Sequence, residues 1–244
     1  MQERSMYQVS TLQALSMGYT RAVITVEELL KHGSIGLGTF ENVDGEMIVL
    51  DGKCYQAAEN GAVCEAKPDT GVPFASVARI KDGIDFDLEN VPNIAALKEL
   101  LTLKIEEDFG LNSMHVVRID ATFSKVCARS ESGYRTQHVG LKDLLSKTQK
   151  DFEFDQVEGT LVCVYYPDYM DGINAAGWHL HFLSADHTKG GHVFDVELLK
   201  GKAQVVKISH IEIQVPTEPA FDTYALKEAS ASEIKEVEQG GKKA

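Results

Sequence analysis

Four cysteines are spread through the 244 residues, Cys54, Cys64, Cys127 and Cys163, and no two form a Cys-x-x-Cys pair. A cysteine zinc site is therefore not expected. Scattered thiols in a chain of this size read as small core residues in a reducing compartment. Their spacing leaves a Cys54–Cys64 bridge open. No apolar run approaches the roughly 18 residues needed to cross a bilayer. The start, MQERSMYQVS, has no basic stretch leading into an apolar one, so no leader is read and a cytoplasmic address is expected. Basic residues are outnumbered, 24 Lys and Arg against 37 Asp and Glu, for a formal charge of −13. That balance argues against nucleic acid and anionic membrane as partners. It also repels a small anion at long range, so an anionic ligand needs a local positive centre, such as a metal or a buried arginine.

Hydrophobic residues are 43% of the chain and charged residues 25%, as in a protein with a true core. Helix signals are few. Thr25 with Glu28 forms a capping box ahead of ITVEELLKHG. PNIAALKELLTLKI (92–105) has apolar residues at helical spacing, and GLKDLLSKT (140–148) and SASEIKEVEQGG near the end are shorter cases. The remainder reads as strand and turn. GEMIVLDGKCYQAAENGAVCEA carries DG and NG hairpin punctuation, while MHVVRIDATFSKVCARS, EGTLVCVYYP and AQVVKISHIEIQVP are rich in β-branched and aromatic residues. No internal repeat and no βαβ alternation are visible. The expected fold is α+β, with mixed or antiparallel sheet and a few inserted helices. It divides into a β-rich half at 1–150 and a second at 151–244 that carries the hairpin described next and a returning tail.

Three of the eight histidines lie in GWHLHFLSADHTKGGHVFD (177–195). On a strand, His179 and His181 share one face, and Trp178, Leu180 and Phe182 share the other. If Asp186 and His187 form a hairpin tip, paired residue numbers sum to 373, and His181 faces His192. The three imidazoles then converge into a site for a divalent transition metal with open positions. The Gly190–Gly191 pair is open to a second reading as a bulge near the tip. His32, His115, His138, His187 and His210 have no such partner.

The segment GINAAGWHLHFLSADHTKGGHVFD closely resembles the metal-binding segment of the acetolactate decarboxylases. GLGTFENVDGEMIVLDGKCYQ (36–56) resembles that family's GTF-x-x-x-DGE block, and VVRIDATFSKVCARS its strand ending in an essential arginine. The likeness runs from about Tyr7 to Glu238. It implies zinc on His179, His181 and His192. It implies catalytic parts for Arg129, which matches the arginine of a Thr-Arg-Ser/Thr-Val stretch, and for Glu46 of the DGE block. Glu238 matches a glutamate that returns from the tail to the metal, with Glu233 and Glu236 as alternatives. A homodimer of two β-rich halves acting on 2-acetolactate is also implied. Two departures stand out: Trp178 occupies a usual tyrosine position, and SESGYRTQ follows Arg129 in place of V-P-x-Q.

The chemistry fits these residue types. Losing CO₂ from 2-acetolactate leaves an enolate of the neighbouring ketone. A metal at the ketone and hydroxyl oxygens stabilises that charge, arginine holds carboxylate or enediolate oxygens, and a carboxylate moves the proton that gives chiral acetoin. Two other readings stay open at this level, a non-catalytic three-histidine metal protein and a different zinc lyase acting on a keto acid. A cupin-type oxygenase is disfavoured because FLSADHTKGGH offers no glutamate after His-x-His.

Overall fold

The computed structural model describes residues 4–133 and 140–223. The elements run β1 (Ser5–Val9), α1 (Leu12–Ser16), β2 (Ile24–Thr25), α2 (Val26–Leu30), β3 (Ile35–Thr39), β4 (Glu46–Leu50), β5 (Lys53–Ala57), β6 (Val63–Glu65), β7 (Gly71–Val72) and β8 (Phe74–Ala78). They continue with β9 (Ile84–Val91), α3 (Ile94–Asp108), β10 (Met114–Ser130), α4 (Leu141–Thr148), β11 (Lys150–Tyr166), β12 (Gly177–Ser184), β13 (Gly190–Ile208) and β14 (His210–Gln214). The fold is α+β, as expected.

A seven-stranded sheet has the order β14-β1-β8-β3-β4-β5-β6, and β2 pairs with β7 alone. A five-stranded sheet has the order β10-β11-β12-β13-β9, and a further β10–β13 pairing closes β10 to β13 into a ring. Local chemistry sets the turns. Asp51 (φ +51°) and Gly52 (φ +78°) join β4 to β5, the two positive φ values of a tight hairpin. Thr25 accepts from the Glu28 N–H, but the Glu28 carboxylate turns to Lys31 Nζ at 2.6 Å, so the side-chain half of the expected capping box goes to a surface ion pair. Asn93 caps α3 by accepting from the Ala96 N–H, a contact that contributes about 1 kcal/mol.

The two sheets stack face to face. Ile35, Leu37, Ile48 and Met6 of the first meet Val116, Val162, Val164 and Leu183 of the second. The outer face of the seven-stranded sheet is covered by Val26 and Leu29 of α2, packed on Val49, Val77 and Cys54. Beyond the five-stranded sheet, α3 buries Leu97, Leu101 and Ile105 against Val117, Leu161 and Leu180; full burial of each leucine or isoleucine contributes about 2 kcal/mol. A small fourth cluster joins α1 to α4 through Leu12, Leu15, Leu141 and Leu144.

The sheets do not divide at residue 150. β10 and β11 pair continuously across it, from His115↔Tyr165 to Ser130↔Lys150, and the change of sheet comes in 79–83. Helix α4 is an insertion between two paired strands, so it marks no boundary in the sheet. All four cysteines are free thiols, which closes the Cys54–Cys64 option. Among the described residues no helix is long and apolar enough to cross a membrane.

Candidate metal centre

β12 and β13 form the expected hairpin: Leu183↔Gly190, Phe182↔Gly191 and His181↔His192. Trp178, Leu180 and Phe182 enter the core shared with α3, and the Trp178 indole donates to Thr102 Oγ1 at 2.9 Å. The alternate positions therefore turn His179 and His181 into the space between the sheets. There His179 Nε2 lies 3.1 Å from His181 Nε2 and 3.0 Å from His192 Nδ1. One ligand atom from each histidine falls within 4.8 Å of the others, and all three side chains are buried.

These nitrogens fit a metal. Two ligands sharing a tetrahedral ion at about 2.0–2.1 Å stand about 3.3 Å apart. Nδ1 of His181 donates to the Met47 carbonyl at 2.8 Å. That bond to β4 fixes the tautomer and leaves Nε2 with its lone pair toward the cluster. Burial lowers the pKa of His181 to about 4, with Arg129 adding to the shift and the Met47 bond opposing it. Burial also holds His179 and His192 well below the usual range, helped by His181 and Arg129 at the first and by Arg129 and His179 at the second. Three neutral imidazoles at neutral pH are a donor set for a cation.

Arg129 and Glu46 come to the same place. Arg129 lies directly across from His192 in the β10–β13 ladder, is 7% exposed, and sets Nη2 3.3 Å from His192 Nε2. Glu46 opens β4, with Oε2 3.3 Å from His181 Nε2 and Oε1 4.0 Å from His192 Nδ1. Its approach depends on the DGE loop. Thr39 pairs with Glu46 across β3 and β4 and donates from Oγ1 to the Gly45 carbonyl at 2.8 Å. Gly45 has φ +92°, and a Cβ there would stand 2.5 Å from the Ala57 oxygen, so only glycine fits.

Glu238, Glu233, Glu236 and His138 lie outside the described residues. Cys163 does not complete the metal shell, because it pairs with Leu180 and faces the α3 core. His187 sits at the hairpin tip with Nδ1 3.3 Å from the Tyr55 hydroxyl. Two features escape the sequence. The cavity beside His179 and His192 has an apolar wall that includes Leu15, Val43, Phe74, Leu141 and Leu145. It also contains Glu131, 2% exposed, two residues after Arg129. Period-2 alternation past Arg129 is the signal that would have found it.

The family model for alpha-acetolactate decarboxylase matches residues 6–228. The alpha-acetolactate decarboxylase of Methanosarcina mazei is 35% identical over 96% of this chain and 80% of its own. That of Lactococcus lactis subsp. lactis is 34% identical over 87% of this chain and 88% of its own. The crystal structure of the Bacillus subtilis strain 168 enzyme superposes with a TM-score of 0.91 at 28% identity, covering 97% of this chain and 100% of that one. With the model match spanning most of its length and these relatives beside it, the chain belongs to the alpha-acetolactate decarboxylase family.

Proposed function

We propose that this protein decarboxylates 2-acetolactate to acetoin and CO₂ at a zinc ion held by His179, His181 and His192. The observation that carries the reading is a cluster of three buried imidazoles, two of which, His179 and His192, line one cavity with Arg129 and Glu46, in a chain of this family. When bound, the zinc supplies dipositive charge where the ketone oxygen becomes negative. The planar guanidinium fork of Arg129 binds the substrate carboxylate against a protein surface that is otherwise repulsive to anions. Glu46, against the histidine nitrogens, holds the substrate hydroxyl or moves its proton. Leu15, Val43 and Phe74 receive the methyl groups and exclude water, which strengthens each charge contact inside. The family resemblance adds a catalytic part for Glu238, and the working unit is a homodimer; light scattering tests the latter.

The deciding experiment measures metal per chain and acetoin formed from 2-acetolactate, in the wild type and in His181→Ala. The wild type binds one zinc per chain and turns over; the variant loses both. Full metal occupancy in the variant would remove His181 from the ligand set, and a zinc-loaded wild type that forms no acetoin would leave a binding protein only.

A further inference from the structure

We infer that Leu145 of α4 is a specificity-determining residue that limits the length of the alkyl groups on the substrate. The inference rests on the decarboxylase reading above. Its starting point is a division of labour in the cavity wall. Glu46, Arg129, His179 and His192 stand on β4, β10, β12 and β13, so the groups that meet charge and oxygen come from the sheets. The two helices at the cavity contribute leucines alone, Leu15 from α1 and Leu141 and Leu145 from α4. A 2-hydroxy-3-keto acid carries its oxygens on neighbouring carbons, and these turn toward the sheet side. Its hydrocarbon ends, one on the hydroxyl-bearing carbon and one on the ketone, then turn to the apolar side that α1 and α4 build.

Leu141 and Leu145 are four residues apart and share one face of α4. Gly140 starts that helix close against α1, where a Cβ would stand 3.3 Å from the Ser16 carbonyl oxygen. Leu141 and Leu144 are buried with Leu12 and Leu15, and Leu145 is partly buried against the same cluster. Leu141 is thus committed to holding α4 on α1. Leu145 lines the cavity with less of its surface in that core, so its size can change at less cost to the fold. The helix lies between β10 and β11, which pair directly at Ser130↔Lys150, so sheet register makes no demand on its side chains. Protein interiors are densely packed, and a longer alkyl group needs volume that a wall residue has vacated. Truncation of Leu145 to alanine vacates that volume, and phenylalanine fills more of it.

The test uses the zinc-loaded full chain. It compares kcat/KM for 2-acetolactate with that for two homologues one methylene longer, one on the hydroxyl-bearing carbon and one on the ketone. Leu145→Ala should raise the homologue-to-parent ratio about tenfold for at least one of them, as a methylene in an apolar pocket does. Leu144→Ala is the control, in the same helix and cluster but outside the residues that line the cavity. It is the more deeply buried of the two, so it should lose more stability and leave the ratio unchanged. A ratio within about twofold of wild type for both homologues in Leu145→Ala overturns the proposal, and so does an equal shift in Leu144→Ala. If Leu145→Ala does not fold, Leu145→Phe decides: it should lower the ratio for at least one homologue, and unchanged ratios overturn the proposal. Wild type that forms no acetoin refutes the decarboxylase reading itself. The alkyl limit is then read from binding of 2-hydroxy-2-methylpropanoate and 2-hydroxy-2-methylbutanoate, unreactive acids that differ by one methylene. Leu145→Ala should shift their affinity ratio toward the longer acid, and an unmoved ratio overturns the limit.

Discussion

Arg129→Lys separates charge from geometry at the anion-binding side of the site. Lysine keeps the positive charge but has a single ammonium in place of a planar fork. The guanidinium is buried and points along the ladder toward His192, so the substituted ammonium remains near the cavity while one of two parallel hydrogen bonds to a carboxylate is lost. A hydrogen bond to a charged group contributes about 1.5–3 kcal/mol. At about 1.4 kcal/mol per decade, kcat/KM should fall about 10- to 150-fold. Zinc content should stay at the wild-type level, because Arg129 approaches His192 Nε2 whereas the nitrogen facing the cluster is Nδ1. Steady-state kinetics on 2-acetolactate, with metal measured on the same samples, checks both statements. A kcat/KM within about threefold of wild type at full metal content refutes the carboxylate role. A parallel loss of zinc would instead mean that Arg129 works by holding His192 in place.

Three further outcomes are expected. Gly191→Ala places a Cβ 2.7 Å from the Arg129 carbonyl and 3.2 Å from the Phe152 ring at φ +149°; it should destabilise the fold by about 1–3 kcal/mol and weaken zinc binding, and an unchanged melting temperature and affinity would contradict the close approach. His115 is buried, and burial, then Lys207, lower its pKa from 6.5 to about 4. The unfolded chain therefore takes up this proton first, and stability drains away as pH falls from about 6.5 to about 4, by about 3 kcal/mol in all; urea unfolding of His115→Gln should show a shallower acid limb, and parallel curves would deny it. Glu238→Gln should lower turnover with metal content unchanged, as the family resemblance implies, and an unaltered rate would leave the tail without a catalytic part.

The hairpin was legible because two periodicities agree in it. Alternation in Trp-His-Leu-His-Phe fixes which face is polar, and a turn at Asp186–His187 fixes the register, so His181 had to meet His192. Glu46 and Arg129 carry no such internal signal; Asp-Gly-Glu reads locally as a turn, and an arginine at a strand end reads as surface. Only the family resemblance pointed to them. Glu131 follows Arg129 by one period of a strand, but the sequence does not say that extended backbone continues past Ser130. The apolar wall was hidden for a different reason. α1 is five residues long, too short to show helical spacing, and it meets α4 across more than a hundred residues of chain. The division at 150 failed because a helix between two strands resembles a boundary, whereas β10 and β11 are neighbours on both sides of it.

One irregularity decides whether the metal ligands and the arginine share a face. Along β10 and β13, Cys127 pairs with Asp195 but Ala128 pairs with Val193, so Phe194 is an extra residue in β13. Continued without it, the register of Cys127 would set Arg129 opposite Val193, with His192 turned to the other face. The bulge shifts the pairing by one and sets Arg129 opposite His192. It sits at Phe194, beyond the Gly190–Gly191 pair that the sequence offered for it, and the hairpin register past those glycines is unbroken. The glycines serve a separate need. At His192, β13 must satisfy β12 on one edge and β10 on the other, and Gly191 beside it leaves room for the Arg129 carbonyl to come that close. Ring closure thus demands both devices. The bulge aligns the two strands' functional faces, the glycine permits their approach, and the site forms where both conditions hold, at the first turn of the chain back from the hairpin tip.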